Sequence, residues 1–180
     1  MALGATIYTF DIDLNDVDRG NYLPLNLRVA QHPSETPAYL LTRVLAFALE
    51  HEEGIAFSKG LSDPDEPAIS VRDLTGSLLA WIDIGLPEPE RLHRAAKAAP
   101  RVAVYAHKDV TPWLTRLAES KIHRREELQV HAFDPGWIAD LAARLERRMT
   151  ISLTRSESEI YLGLGAETFQ TVITRIALAN

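Results

Sequence analysis

The chain contains no cysteine. That excludes a disulfide framework, a thiolate zinc site, an iron–sulfur cluster and a cysteine nucleophile, and it is compatible with a reducing compartment. No apolar run approaches the roughly 18–20 residues a membrane span requires. The opening from Met1 to Tyr8 lacks the basic start and apolar core of a signal peptide. No membrane partner is expected, and a cytoplasmic location is. Basic residues are outnumbered, 19 against 25 acidic ones, for a net charge of −6. Affinity for a phosphate backbone comes largely from basic surface. The balance therefore disfavours tight non-specific nucleic-acid binding, while leaving room for a local basic face. A phosphate-binding glycine loop and a dinucleotide fingerprint are also missing, and Ser34 lacks the Gly-x-Ser-x-Gly turn of a hydrolase nucleophile.

What is present is globular. Hydrophobic residues make up 46% and charged residues 24% of 180, which fits one domain over residues 1–180. Such a chain can bury about 70% of its extended surface and needs neither metal nor disulfide merely to fold.

Near the start, Tyr8, Phe10, Ile12 and Leu14 alternate with Thr9, Asp11 and Asp13, and alternation resumes at Leu23, Leu25, Leu27 and Val29. Period two on both sides of a turn-rich segment predicts an antiparallel pair with one buried face. Pro24 puts its strand at an edge, or makes it begin later. The stretch His32-Pro33-Ser34-Glu35-Thr36-Pro37 signals a helix start, with Ser34 or Thr36 as N-cap; Thr36 would place Pro37 at the first helical position. Leu40, Leu41, Val44, Leu45 and Ala48 predict a wide apolar stripe ending near Gly54.

Three strands are predicted at 55–58, 68–72 and 78–84, the last apolar enough to be covered on both faces. Helices around 88–98 and 112–121 alternate with strands at 102–106 and 128–133. Asp134-Pro135 opens another helix, and strands at 149–154, 160–164 and 169–176 close the chain. Trp81, Trp113 and Trp137 sit in apolar patterns and are expected in the core.

Asp65 or Glu66, where the second middle strand begins, and Asp83, near the end of the third, can converge on one point. Glu35 can add a third carboxylate. A hard cation such as Mg²⁺ is held by one or two carboxylates with water and phosphate oxygens, and it can activate water at a phosphorus centre. Two carboxylates sharing a site would repel when no metal is bound. The ordinary alternatives are solvated turn residues at Asp65 and Glu66, a loop hydrogen bond at Asp83 and a helix-dipole partner at Glu35. His32 is a candidate base or metal ligand, against a hydrogen bond to nearby loop backbone. Lys121, His123, Arg124 and Arg125 form the densest basic run, and Arg91, His93, Arg94 and Lys97 a second. Both can meet phosphates; both are also ordinary solvated helix ends.

Several stretches together resemble the YaeQ family over essentially the full chain. They are the opening Met-Ala-Leu-x-Ala-Thr-Ile-Tyr, His32 to Thr36, Gly60-Leu61 followed by Asp65-Glu66-Pro67, the run from Leu79 to Pro87, Lys121 after the Trp113 helix, and Met149-Thr150. The resemblance implies a variant PD-(D/E)XK nuclease-like fold: an α/β protein with a mixed sheet flanked by helices, an N-terminal hairpin, and a core of helix, three strands, helix and strand. It also implies metal ligation by Glu35, Glu66 (or Asp65) and Asp83. Many relatives carry Glu where this chain has Asp83. The signature departs at Asp83-Ile84-Gly85, where glycine replaces lysine. Lys59, Arg91 and Lys121 are the candidates to supply the missing positive charge. The expected activity is that of a Mg²⁺-dependent nuclease or phosphodiesterase with nucleic acid as partner. The alternative is a non-catalytic binding or regulatory protein, linked to transcription, on the same fold.

Overall fold

The computed structural model describes residues 4–59 and 63–179. Met1 to Leu3 and the Gly60-Leu61 pair, both part of the resemblance, lie outside the described residues.

Strands β1 (Thr6–Asp16) and β2 (Asn21–Gln31) form the predicted hairpin. Phe10, Ile12 and Leu14 share a buried face with Leu25, Leu27 and Val29. Pro24 lies on β2, which is an edge strand, where a missing N–H does least harm.

Helix α1 (Pro37–Leu49) starts as expected. The Thr36 Oγ1 accepts the Tyr39 N–H at 3.1 Å and Pro37 takes the first position. The helix is more deeply embedded than an amphipathic stripe requires: every residue from Leu40 to Leu49 is buried. A helix covered all round is a core element, and α1 packs against both sheets. It ends at Leu49 rather than near Gly54.

Past it come β3 (Ile55–Phe57), β4 (Ile69–Arg72), β5 (Leu78–Ile84), α2 (Pro89–Ala98), β6 (Arg101–Ala106), α3 (Thr111–Glu119) and β7 (Gln129–Ala132). Next are α4 (Pro135–Ala142), capped by Asp134, and strands β8 (Arg148–Ser156), β9 (Glu159–Leu164), β10 (Glu167–Val172) and β11 (Thr174–Ile176). Residues 55–84 do form neighbouring strands: β3 pairs with β4 and β4 with β5, both antiparallel.

The strands divide into two mixed sheets, ordered β10-β9-β8-β1-β2 and β11-β7-β6-β5-β4-β3. Ala80 and Ile82 of β5, with Ala103 and Tyr105 of β6, face the core that holds α1, α4 and the five-stranded sheet. Trp81, Val102 and Val104 face the other way, against Leu92 of α2 and Trp113 and Leu117 of α3. All three tryptophans are buried, as expected. The run 169–176, expected as one strand, is two. Ile173 turns into the core, 4% exposed, and the chain crosses from β9 to pair β11 with β7. Among the described residues no helix is long and apolar enough to cross a membrane.

Candidate functional site

The antiparallel register places Ile69 opposite Ile82, which brings Ala68, at the mouth of β4, beside Asp83. The Ala68 N–H donates to Asp83 Oδ1 at 3.3 Å. From the first turn of α2, Arg91 closes on the same carboxylate. Its Nε donates to Oδ2 at 2.7 Å and its Nη2 to Oδ1 at 3.0 Å. The remaining guanidinium donors hold the preceding loop: Nη2 bonds the Glu66 carbonyl at 2.7 Å, and Nη1 bonds the Pro64 and Asp63 carbonyls at 3.0 and 3.5 Å. An arginine has five N–H donors, and here all are engaged. Burial works against the Arg91 charge, but Asp83's hydrogen bonds and charge outweigh it and raise the guanidinium pKa. The Arg91 guanidinium also lies 5.3 Å from the centre of the Trp81 ring.

A second pair stands across the cleft. Glu35, in the turn before α1, lies 3.2 Å from Arg43 Nη2, with side chains 7% and 3% exposed. The same Nη2 donates to the Ala30 carbonyl at 2.7 Å. Burial raises the Glu35 carboxyl above its ordinary value despite Arg43, and burial lowers Arg43 despite Glu35. Arg43 Nε is buried with no hydrogen-bond partner.

Tyr39 faces both pairs. Its hydroxyl pKa is raised by burial and then by the charges of Asp83 and Glu35, and its ring meets His107 edge-on at 6.3 Å. Burial and then Lys108 lower the His107 pKa. These groups line one cavity of about 640 Å³, the size of a small-molecule site. Perturbed titratable groups gathered in a cleft are a physical mark of a functional site.

Glu35, Glu66, Asp83 and Arg91 are thus brought together as lining residues of this cleft. His32, Asp65, Lys59 and Lys121 are not among those described as lining it. The His32 Nδ1 accepts the Ser34 N–H at 3.2 Å, the bond to nearby loop backbone that was the ordinary alternative, and also meets Ser34 Oγ at 2.6 Å. Asp65, Lys59 and Lys121 are exposed. Tyr39, Arg43, His107 and Lys108 escaped sequence reasoning. One signal was available for Arg43. A cation inside an apolar helical run is rarely fully buried unless paired, and Glu35 and Arg43 are 8 residues apart, as are Asp83 and Arg91.

The missing lysine has a backbone explanation. Gly85 leaves β5 at φ +86°, a left-handed conformation unfavourable to any residue with a Cβ. Its N–H donates to the Tyr105 carbonyl at 2.9 Å.

As arranged, the carboxylates do not fit a Mg²⁺ shell. Asp83 and Glu35 are each held by an arginine, and a guanidinium beside the carboxylate opposes a divalent cation. Among the described residues no group of three or more His, Cys, Asp or Glu is placed to hold a metal ion.

The expected family is found by comparison. The family described as "YaeQ protein" matches residues 1–173. The chain belongs to the YaeQ family. An uncharacterised YaeQ protein of Salmonella typhi is 34% identical over 163 residues, 90% of each chain, and that of Escherichia coli K12 is 32% identical over the same shares. The crystal structure of YaeQ from Pseudomonas syringae superposes with a TM-score of 0.88 at 27% identity, covering 96% of each chain. YaeQ from Xanthomonas axonopodis pv. citri superposes at 0.87 with 30% identity, covering 97% of this chain and 99% of that one. The two-sheet α/β architecture is therefore that of the YaeQ structures.

The basic run after α3 of this YaeQ family member serves helix ends. Arg124 donates to the Ala96 and Ala99 carbonyls at the end of α2. Arg125 donates to the Ala118 carbonyl at 2.8 Å at the end of α3. Cations at helix C-termini satisfy free carbonyls and complement the dipole.

Proposed function

We propose that the cleft binds a phosphate-bearing ligand of nucleotide size, with nucleic acid as its source, and that binding rather than cutting is its activity. One observation carries this choice: the Asp83 carboxylate and all the N–H donors of Arg91 are engaged with each other and with the 63–68 backbone. Neither is left to hold a metal or to stabilise a developing charge. What remains for a ligand is Lys108, the Tyr39 hydroxyl, His107 and the start of α1 with Thr36. The helix start favours an anion, and Lys108 supplies a charge exposed to solvent. A regulatory, transcription-linked role of the kind the family resemblance implies would use such binding.

The test is fluorescence anisotropy with single- and double-stranded DNA and RNA oligonucleotides across a salt series. Binding should weaken as salt rises, and Lys108→Ala and Tyr39→Phe should each reduce affinity. Absence of binding to every oligonucleotide, or unchanged affinity in both variants, overturns the proposal.

A divergent Mg²⁺-dependent nuclease is the second reading. It is favoured by Glu35, Glu66 and Asp83 lining one cleft on the helix–three strands–helix–strand order of a PD-(D/E)XK core. Mg²⁺ or Mn²⁺ added to the same oligonucleotides decides between the two. Metal-dependent cleavage abolished by Asp83→Asn supports the nuclease; metal-independent binding without cleavage supports the first reading.

A further inference from the structure

On the opposite side of the core, where the end of α1 meets both sheets, a second cavity of about 260 Å³ gathers arginines from four separate elements. Arg19 comes from the β1–β2 turn, Arg101 from the start of β6, Arg155 from β8 and Arg175 from β11. The chain as a whole carries a net charge of −6, so this convergence runs against its composition.

The acids lining the cavity are Glu50 and Glu52. Glu50 is already engaged: it accepts from Arg101 Nη2 at 2.7 Å and from the Tyr105 hydroxyl at 2.7 Å. Burial pushes its carboxyl up, but the bond and charge of Arg101 and the Tyr105 bond outweigh that and hold it below the ordinary value. Glu52 lies 3.5 Å from the same Arg101 Nη2. Arg19 is tied to the Leu49 carbonyl at 2.8 Å. The other two arginines are less satisfied. Arg155 Nε is buried without a hydrogen-bond partner; the Asp18 carboxylate stands 3.4 Å away, an ion pair without hydrogen-bond geometry. Arg175 is exposed, and its guanidinium makes no hydrogen bond or ion pair among the described residues. His131, stacked on Tyr105 at 4.7 Å, adds no negative charge to the wall. Like charges held together in a half-buried cavity repel, and an anion removes that cost.

We propose that this cavity is a second binding site, separate from the cleft, for the phosphate group of a small ligand. A tetrahedral phosphate offers acceptor oxygens in several directions and can meet forks arriving from several elements, whereas a planar carboxylate is matched by one or two. The cavity is smaller than most whole-ligand sites, which suits a charged head group.

The test is isothermal titration calorimetry of the full chain with inorganic phosphate and with pyrophosphate, in chloride buffer at fixed ionic strength. Saturable binding is expected for at least one of them, and the melting temperature should rise with its concentration. Arg155→Gln and Arg175→Gln should each weaken binding about tenfold or more, the loss of a charged hydrogen bond. Arg175→Gln should also leave the phosphate-free melting temperature no lower than the parent's, because the Arg175 guanidinium bonds nothing in the fold and its removal relieves repulsion. Lys121→Gln, exposed and lining neither cavity, should bind phosphate like the parent. Absence of saturable binding for both anions, or undiminished affinity in both arginine variants, overturns the proposal.

Discussion

The Asp83 carboxylate receives both Nε and Nη2 of Arg91, at 2.7 and 3.0 Å, and its side chain is 3% exposed. Two carboxylates alone in a site would be relieved by neutralising one of them; Arg91 reverses that sign. Asp83→Asn removes the charge that Arg91 faces and should destabilise the metal-free protein by about 2–4 kcal/mol, less than a fully buried pair because Arg91 is partly exposed. Arg91→Gln should cost a similar amount, and the double variant should cost less than the sum. Urea unfolding of the four proteins measures the coupling. A metal-free Asp83→Asn protein as stable as the parent would show that the clamp contributes nothing and that repulsion within the site dominates.

Gly54 and Gly85 share a φ of +86° but not their surroundings. A Cβ on Gly85 would meet only the Tyr39 ring, at 4.0 Å, while one on Gly54 would fall 1.9 Å from the Arg72 carbonyl oxygen. Gly85→Ala should therefore cost the backbone penalty alone, about 1–2 kcal/mol. Gly54→Ala must also displace β4 and should cost roughly 3–5 kcal/mol. Gly85→Lys, which restores the signature lysine, should lose about as much as Gly85→Ala. It should not confer metal-dependent cleavage while Arg91 holds Asp83. Chemical denaturation of the three variants, with a nuclease assay on the last, checks all four statements.

Local pattern carried most of the fold. The Thr36 cap, Pro37 at the helix start, Pro24 on an edge and the adjacency of the 55–84 strands all follow from rules that act within a few residues. The division into two sheets does not, because alternation at 169–176 is the same whether a strand runs on or crosses at Ile173. The cleft was half legible. Carboxylate positions could be read from strand ends, but their saturation by Arg43 and Arg91 depends on which helix face turns inward. Polarity alone could not mark Arg124 and Arg125 as helix-end clamps, since a charged residue just past a helix reads equally well as a phosphate contact.

Those clamps predict a separation of stability from binding. Arg124 sits at φ +49° and donates to the carbonyls ending α2. Arg124→Gln keeps the same backbone strain, so the loss reports the side-chain bonds, about 1–2 kcal/mol. Thermal melts should show the loss, while oligonucleotide affinity at the cleft stays as in the parent. A drop in affinity with unchanged stability would instead make this run a phosphate contact.

His131 sets a pH dependence whose sign follows from its burial. Desolvation is the largest cause lowering its pKa from 6.5 to about 4; Glu50 works the other way, and Arg155, Arg175 and Arg101 reinforce the fall. Above pH 6.5 the ring is neutral in both folded and unfolded chains and favours neither. As pH falls from about 6.5 towards 4, the unfolded chain takes up a proton that the folded one refuses, so stability declines through that window. The decline saturates near pH 4 at about 3 kcal/mol, from 1.36 kcal/mol per pKa unit. His131→Phe keeps an aromatic ring on Tyr105 and has nothing to titrate. Urea unfolding at intervals from pH 7 to pH 4 should therefore give a shallower acid slope for His131→Phe than for the parent. Parallel slopes would mean that another group governs the acid limb. Phosphate held by the four neighbouring arginines would add negative charge beside the ring, raise the folded pKa and flatten the parent's slope towards that of the variant.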